Sequence, residues 1–283
     1  MYSDRLLKLV VMSDLHLLPQ GQLKNSLDTS ARLEQAFADV MAYHADADLV
    51  VFAGDIADKA DVEAYRDFEE MRAKLPLPQR VMLGNHDNRD IYLEHAVDPM
   101  VDENGFVEGV ADIKGHRVIM LDTSEPGMQS LLCEKRLNWL AGRLDEARVT
   151  GLKVILLLHH NPVALQMPVD TYRLGEPQKL LDVMKRSGAE IIQVLAGHCH
   201  IQTAGSWGGY PCASIVGNAH RAGQFLRPRL GQQPCYEGPA QYAAILSDGL
   251  NCALHFHNYV EFDPEIPDSY FPRKLNQPYE QVD

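Results

Sequence analysis

Apolar runs that stop abruptly at polar turns dominate the chain. Residues 6–12 are almost continuously apolar and end at Ser13-Asp14, which predicts a central strand covered on both faces. A loop rich in polar residues, with Pro19 and Gly21, fills positions 18–30. Leu33, Phe37, Val40 and Met41 then fall on one face at helical spacing, with Asp28 or Ser30 as N-cap. Leu49-Val50-Val51-Phe52 predicts a second buried strand running into Gly54-Asp55, followed by a helix over 62–74 that Pro76 and Pro78 end. A third strand, 80–83, runs into Leu83-Gly84-Asn85-His86-Asp87. Three successive strands thus end in carboxylate, imidazole or amide, and in open α/β sheets ligand sites lie beyond the carboxyl ends of strands.

The middle of the chain changes character. Residues 105–113 and 116–122 read as a hairpin around Lys114-Gly115, and Leu137, Leu140 and Leu144 mark an amphipathic helix. A buried strand over 154–158 delivers His159-His160-Asn161-Pro162. The stretch from Pro162 to Pro177 is long for a connection and suits a functional lid. A helix over 178–186 and a strand over 191–195 lead to Gly197-His198-Cys199-His200. Segments 212–216, 242–246 and 252–257 read as short strands of a second sheet, and the Pro- and acid-rich residues after Phe262 as a tail packed on the body or partly disordered.

Composition narrows the field. A 46% hydrophobic fraction with 23% charged residues is that of a soluble globular protein with a real core. The formal charge of −13 argues against broad binding to nucleic acid or anionic membrane, both of which favour basic surfaces. Five cysteines with no C-x-x-C pair fit reduced thiols in a cytoplasm better than a disulfide framework. No secretory leader pattern and no membrane-span-length apolar run is present, so a cytoplasmic protein without membrane insertion is expected.

The polar residues at the strand ends form a set: Asp14-x-His16, Gly54-Asp55, Gly84-Asn85-His86-Asp87, His159 and Gly197-His198-x-His200. One histidine after a strand is commonly structural, but five groups drawn only from Asp, Asn and His argue for a shared site. In extended backbone, residues two apart point the same way, so Asp14 and His16, and likewise His198 and His200, are each expected to reach one locus. Carboxylate, amide and imidazole without thiolate suit Mn, Fe, Zn or Co. Seven such donors are too many for one ion and about right for two. Two ions bridged by a carboxylate and a water serve in-line displacement at phosphorus, the water becoming a hydroxide near neutral pH. His86, beside a donor but not counted as one, is the candidate proton donor to the leaving oxygen.

In this order the motifs resemble the metallophosphoesterases of calcineurin-like fold, over residues 6–205. The resemblance implies an α/β fold, a four-layer αββα sandwich of two mixed sheets flanked by helices, with residues 1–283 as a single domain. It also implies that Asp14, His16, Asp55 and His200 hold one metal and that a bridging Asp55 joins Asn85, His159 and His198 at the other. Asn85 and His86 would meet the substrate phosphate. Ser/Thr protein phosphatases continue Gly-Asp with V-D-R-G and carry Glu after G-N-H, where this chain has Ile56-Ala57-Asp58-Lys59 and Asp87. Purple acid phosphatases place a Tyr ligand where this chain has Asp58. Asp58, Arg89 and Pro162 in their contexts resemble the class III cyclic nucleotide phosphodiesterases and their glycerophosphodiesterase relatives.

The expected activity is therefore hydrolysis of a small phosphodiester by a dinuclear metal centre. Phosphomonoesterase or nuclease action on the same scaffold, or a non-catalytic scaffold, are the alternatives, and assembly into a homo-oligomer is compatible with the sequence. Asp58 and Asp87 read equally as groups that orient the His ligands or His86, or as turn residues. His160 reads equally as a substrate contact or a structural hydrogen bond, and Arg89 as a salt bridge before a phosphate contact. His44, His95, His116, His220, His255 and His257 carry no motif and read as structural.

Overall fold

Side chains two apart in a strand share a face, and this alternation sorts the apolar residues into three stacked cores. The computed structural model describes residues 5–125, 130–223 and 234–261. In chain order the elements are β1 (Leu7–Met12), α1 (Thr29–Tyr43), β2 (Leu49–Ala53), α2 (Val62–Arg72), β3 (Gln79–Met82), α3 (Arg89–His95), β4 (Gly109–Ile113), β5 (His116–Leu121), α4 (Glu134–Thr150) and β6 (Lys153–Leu158). A 3-10 turn (Pro168–Tyr172) precedes α5 (Pro177–Ser187), β7 (Ile191–Ala196), β8 (Thr203–Trp207), β9 (Tyr210–Ser214), β10 (Arg221–Ala222), β11 (Cys235–Tyr236), β12 (Ala240–Ser247) and β13 (Cys252–Val260).

A five-stranded sheet of order β13-β12-β1-β2-β3 faces a six-stranded sheet of order β4-β5-β6-β7-β9-β8. Val10, Met12, Val50 and Phe52 point outward to α1 and α2, while Leu9, Val11, Leu49 and Val51 point inward. The second sheet repeats the scheme: Leu156 and Leu158 meet α4 and α5, and Ile155 and Leu157 complete the core between the sheets. Helix, sheet, sheet, helix is the layering that the family resemblance implies. It also explains why these strands lack a polar face.

Two sequence expectations need correction. Segments 242–246 and 252–257 belong to the first sheet, not to a second one with 212–216: β12 lies antiparallel on β1, with Val10 opposite Ala244, and β13 lies outside it. Pairing leaves no signature in either strand's own sequence. Met41, expected on the buried face of α1, is 37% exposed, because it sits about 100° round the helix from the buried Val40. The tail after Phe262 lies outside the described residues. Asp28 does cap α1, accepting from the Ala31 amide at 2.9 Å, and Lys114 (φ 47°) with Gly115 (φ 80°) makes the left-handed two-residue turn of the β4–β5 hairpin.

Strands β1, β2 and β3 are parallel, as are β5, β6, β7 and β9. Their carboxyl ends therefore open on one edge, where all the motif turns lie.

One buried group near that edge sets a pH dependence. Glu108 is buried beside Asp122, whose amide donates to it at 3.2 Å. Burial, then Asp102 and Asp122, push its carboxyl up to about 9. The native state thus keeps a proton that the unfolded chain releases above about 4.5, so this contribution is complete below that pH and is lost as pH rises through 9. Glu108→Gln is expected to remove a slope of up to about 1.4 kcal/mol per pH unit, making the variant more stable than wild type in denaturant titrations at pH 8. Parallel stability curves from pH 5 to 9 would contradict it.

Candidate metal centre

The turns that end β1, β2 and β7 are locked together by their backbones. Asp14 N donates to Gly54 O at 3.0 Å and His16 N to Asp55 O at 2.8 Å. The His198 amide donates to both carboxylate oxygens of Asp14, each at 3.0 Å. Within these turns Asp14, His16, Asp55, His198 and His200 all have φ between 46° and 65°. Left-handed backbone at a non-glycine residue costs of order 1 kcal/mol or more and persists only where the surroundings impose it. The extended geometry expected from residues two apart is therefore absent. Asp14 and His16 still reach one locus, but His198 and His200 part: His200 joins Asp14 and His16, while His198 joins His159 and His160. Asp55 belongs to a group with His16 and His86 and to another with Asp14 and His159, so it lies between the two loci.

Tautomers decide what these rings present. His16 Nδ1 lies 2.9 Å from Asp58 Oδ1, and His200 Nδ1 donates to the His220 carbonyl at 2.8 Å. Both therefore offer Nε2 lone pairs, and those two nitrogens face each other at 3.1 Å. His159 Nδ1 donates to Ala53 O at 2.9 Å, which turns its Nε2 toward Asp55 Oδ2 at 3.3 Å. The Nε2 atoms of His159 and His198 are buried without a hydrogen-bond partner. Converging lone pairs beside buried carboxylates repel unless a cation or protons lie among them. The donor set fits divalent ions of the Mn, Fe, Co or Zn type, since it contains oxygen and imidazole and no thiolate.

The titration of the site carries the same message. Burial opposes the Asp55 charge, yet His159, His16 and His86 hold its carboxyl well below the usual range. Burial likewise opposes a charged His159, but Asp55 pushes it up to about 9. A potential that holds a proton there also holds a metal cation, and the two compete. Away from that carboxylate, burial and the neighbouring His159 lower His198 to about 4.

His86 stands at the edge. Its amide donates to Asp55 Oδ1 at 2.8 Å and its Nδ1–H to the Asp58 carbonyl at 2.6 Å, leaving Nε2 as its free nitrogen. Its side chain is 36% exposed. His86 and Asn85 line a cavity of about 240 Å³ together with Asp55, His198 and His200.

Several open roles are resolved. Asp58 orients: its carboxylate binds His16 Nδ1 and Lys24 Nζ, and its carbonyl holds His86. Asp87 does not touch His86; it accepts from the amides of Gly84, Ile56 and Ala57 and from Tyr65 Oη, clamping two turns together. Arg89 is a salt bridge, 2.9 Å from Asp122. His160 Nδ1 bonds Thr123 Oγ1 at 2.8 Å, and the ring also lies in the His159/His198 group. His220, read as structural in the sequence, lies at the site. It stacks on His200 with ring centroids 4.2 Å apart and lines the cavity. Its chain position after β9 lacks any motif, so only the fold could place it there.

The model of the calcineurin-like phosphoesterase family matches residues 7–202. A probable cyclic nucleotide phosphodiesterase of Rhodococcus erythropolis is 33% identical over 245 residues, 80% of this chain and 77% of its own length. A probable glycerophosphodiester phosphodiesterase of Arcobacter nitrofigilis is 29% identical over 264 residues, 91% of this chain and 95% of its own. Among solved structures, a dimetal phosphatase of Danio rerio superposes with a TM-score of 0.60 at 13% identity, covering 88% of this chain and 98% of that one, a likeness of fold.

Close approach at Gly84 yields a test. A Cβ there would lie 2.2 Å from Asp55 Oδ1 and 2.6 Å from His159 Nε2. Gly84→Ala is expected to weaken Mn affinity more than tenfold and to destabilise by about 1–3 kcal/mol. Gly142→Ala, in α4 with nothing within 4 Å, is expected to stabilise by about 0.5–1 kcal/mol. Calorimetric Mn titration and urea melts of both variants check this; unchanged Mn binding in Gly84→Ala would contradict the site.

Proposed function

The chain belongs to the calcineurin-like phosphoesterase family, and on that premise we propose that it is a dinuclear-metal phosphodiesterase acting on a small phosphodiester, such as a cyclic nucleotide or a glycerophosphodiester. One observation carries the reading: two groups of converging nitrogen and oxygen donors share a single buried carboxylate, Asp55, beneath one cavity. We assign Asp14, His16, Asp55 and His200 to one ion and Asp55, Asn85, His159 and His198 to the other. When bound, such ions supply Lewis acidity to the phosphoryl oxygens and acidify water for attack.

The chain's own residues do the rest. Asn85 and His86 meet the phosphate at the cavity wall. Asp58 fixes the His16 ring and, through its carbonyl, the His86 ring, so one residue couples a metal ligand to the proton donor. With Nδ1–H committed to that carbonyl, His86 transfers a proton from Nε2 to the leaving oxygen and ends neutral without turning over. Phosphodiester action accords with the names of the relatives, and the acidic charge disfavours a polymeric nucleic-acid substrate. No helix of the described residues is long and apolar enough to cross a membrane, and five free cysteines accord with a reducing cytoplasm. The core shared by both sheets supports reading the chain as one domain.

With Mn supplied, bis(p-nitrophenyl) phosphate is expected to turn over faster than p-nitrophenyl phosphate; activity confined to the monoester would overturn the diesterase assignment. His86→Ala is expected to lower kcat by about 10²-fold or more on an alkyl leaving group, as general acids contribute. On p-nitrophenolate, which leaves with little need of a proton, the loss should be smaller. Equal losses on both substrates, or none, would remove His86 as the acid.

A further inference from the structure

Most residues that line the cavity carry polar or titratable side chains: Lys24, His86 and His220 stand beside the candidate ligands, and Lys24 is already held by Asp58. The exception is the Val169–Tyr172 side, contributed by the 3-10 turn. Val169 is buried against Cys199, Ile201 and Ala222, but Tyr172 is 65% exposed. A single exposed aromatic on a surface is ordinary. This one stands on the rim of a site, on a segment that is fastened down. The Asp170 carboxylate accepts from Leu165 N at 2.7 Å and Met167 N at 3.3 Å, and Leu174 N donates to Asn161 O at 3.0 Å.

A phosphodiester seated at that locus must direct its organic substituents into this cavity. A polyol finds partners among the polar groups, whereas a flat ring finds its largest uncommitted aromatic face at Tyr172, since the His220 imidazole is already stacked on His200 and that of His86 is held by the Asp58 carbonyl. We propose that Tyr172 is a specificity-determining residue whose ring stacks on the base of a nucleotide substrate, so that the enzyme favours nucleotide phosphodiesters over those lacking a ring. This rests on the phosphodiesterase reading and narrows its substrate class. Base–aromatic stacking has the required strength and tolerates any base, and a Tyr ring is rigid and amphipathic.

The test compares two ligands that differ only in the base. Adenosine 5′-monophosphate and ribose 5-phosphate are titrated calorimetrically into Mn-loaded wild type, Tyr172→Ala and Tyr172→Phe. The wild type is expected to bind the nucleotide more tightly, by about tenfold or more. Tyr172→Ala should collapse that gap by about tenfold, while Tyr172→Phe keeps it. Because Tyr172 belongs to none of the candidate metal-binding groups, a change confined to the nucleotide does not arise from the metal locus. Equal affinities in the wild type, no binding of either ligand, an intact gap in Tyr172→Ala, or an equal loss in Tyr172→Phe would each overturn the proposal. Turnover of bis(p-nitrophenyl) phosphate by the same samples keeps the outcomes apart: if it persists, the stacking role alone has failed.

Discussion

Asp55 is a fully buried carboxylate with ring nitrogens of His159 and His16 at 3.3 and 3.5 Å. Nothing in a protein interior tolerates such a concentration of lone pairs unless positive charge is drawn among them, because burial removes the water that would screen it. Much of the surrounding structure follows from keeping this arrangement. The second nitrogens of His16, His159 and His200 are committed to Asp58, Ala53 O and His220 O, so the first ones must face inward. Gly84 is a glycine because a Cβ there would strike the carboxylate. Asp87 holds the β2 and β3 turns in register through three backbone amides, with burial and the nearby Asp55 raising its own carboxyl to about 6.

The fold supplies what local chemistry cannot. Two parallel sets of strands open at one edge and deliver five turns to it, and the left-handed residues in those turns bend the chain so that neighbours such as His198 and His200 serve different loci. The three cores carry the cost of that strain. Of the strands that carry these turns, β1, β2, β6 and β7 are buried along almost their whole length, so most of the turns are attached directly to the core, which is the condition for a preorganised site.

The sequence made the strands and their polar ends legible because apolar runs and Asp/Asn/His turns are local features. The residues collected from them do lie around one cavity edge. What was illegible depends on placement by other parts of the chain. His220 has no motif and reaches the site only because β9 is parallel to β7. Asp58 and Asp87 read alike in the sequence, yet the Asp87 carboxylate turns to backbone amides while Asp58, from another strand end, holds the His86 ring through its carbonyl. The return of β12 and β13 to β1 follows from pairing partners, which two apolar segments cannot announce on their own. Tyr172 sits in a stretch whose length suggested a lid, but its standing at the rim comes from how Asp170 and Asn161 fasten that stretch.

A shared carboxylate makes a sharp demand on metal content. Purified protein equilibrated with Mn and freed of excess should be analysed by inductively coupled plasma mass spectrometry beside Asp55→Asn. Two ions per chain in the wild type and at most one in the variant are expected of a bridged pair. A wild type that retains none, or an Asp55→Asn protein that retains both, would contradict it.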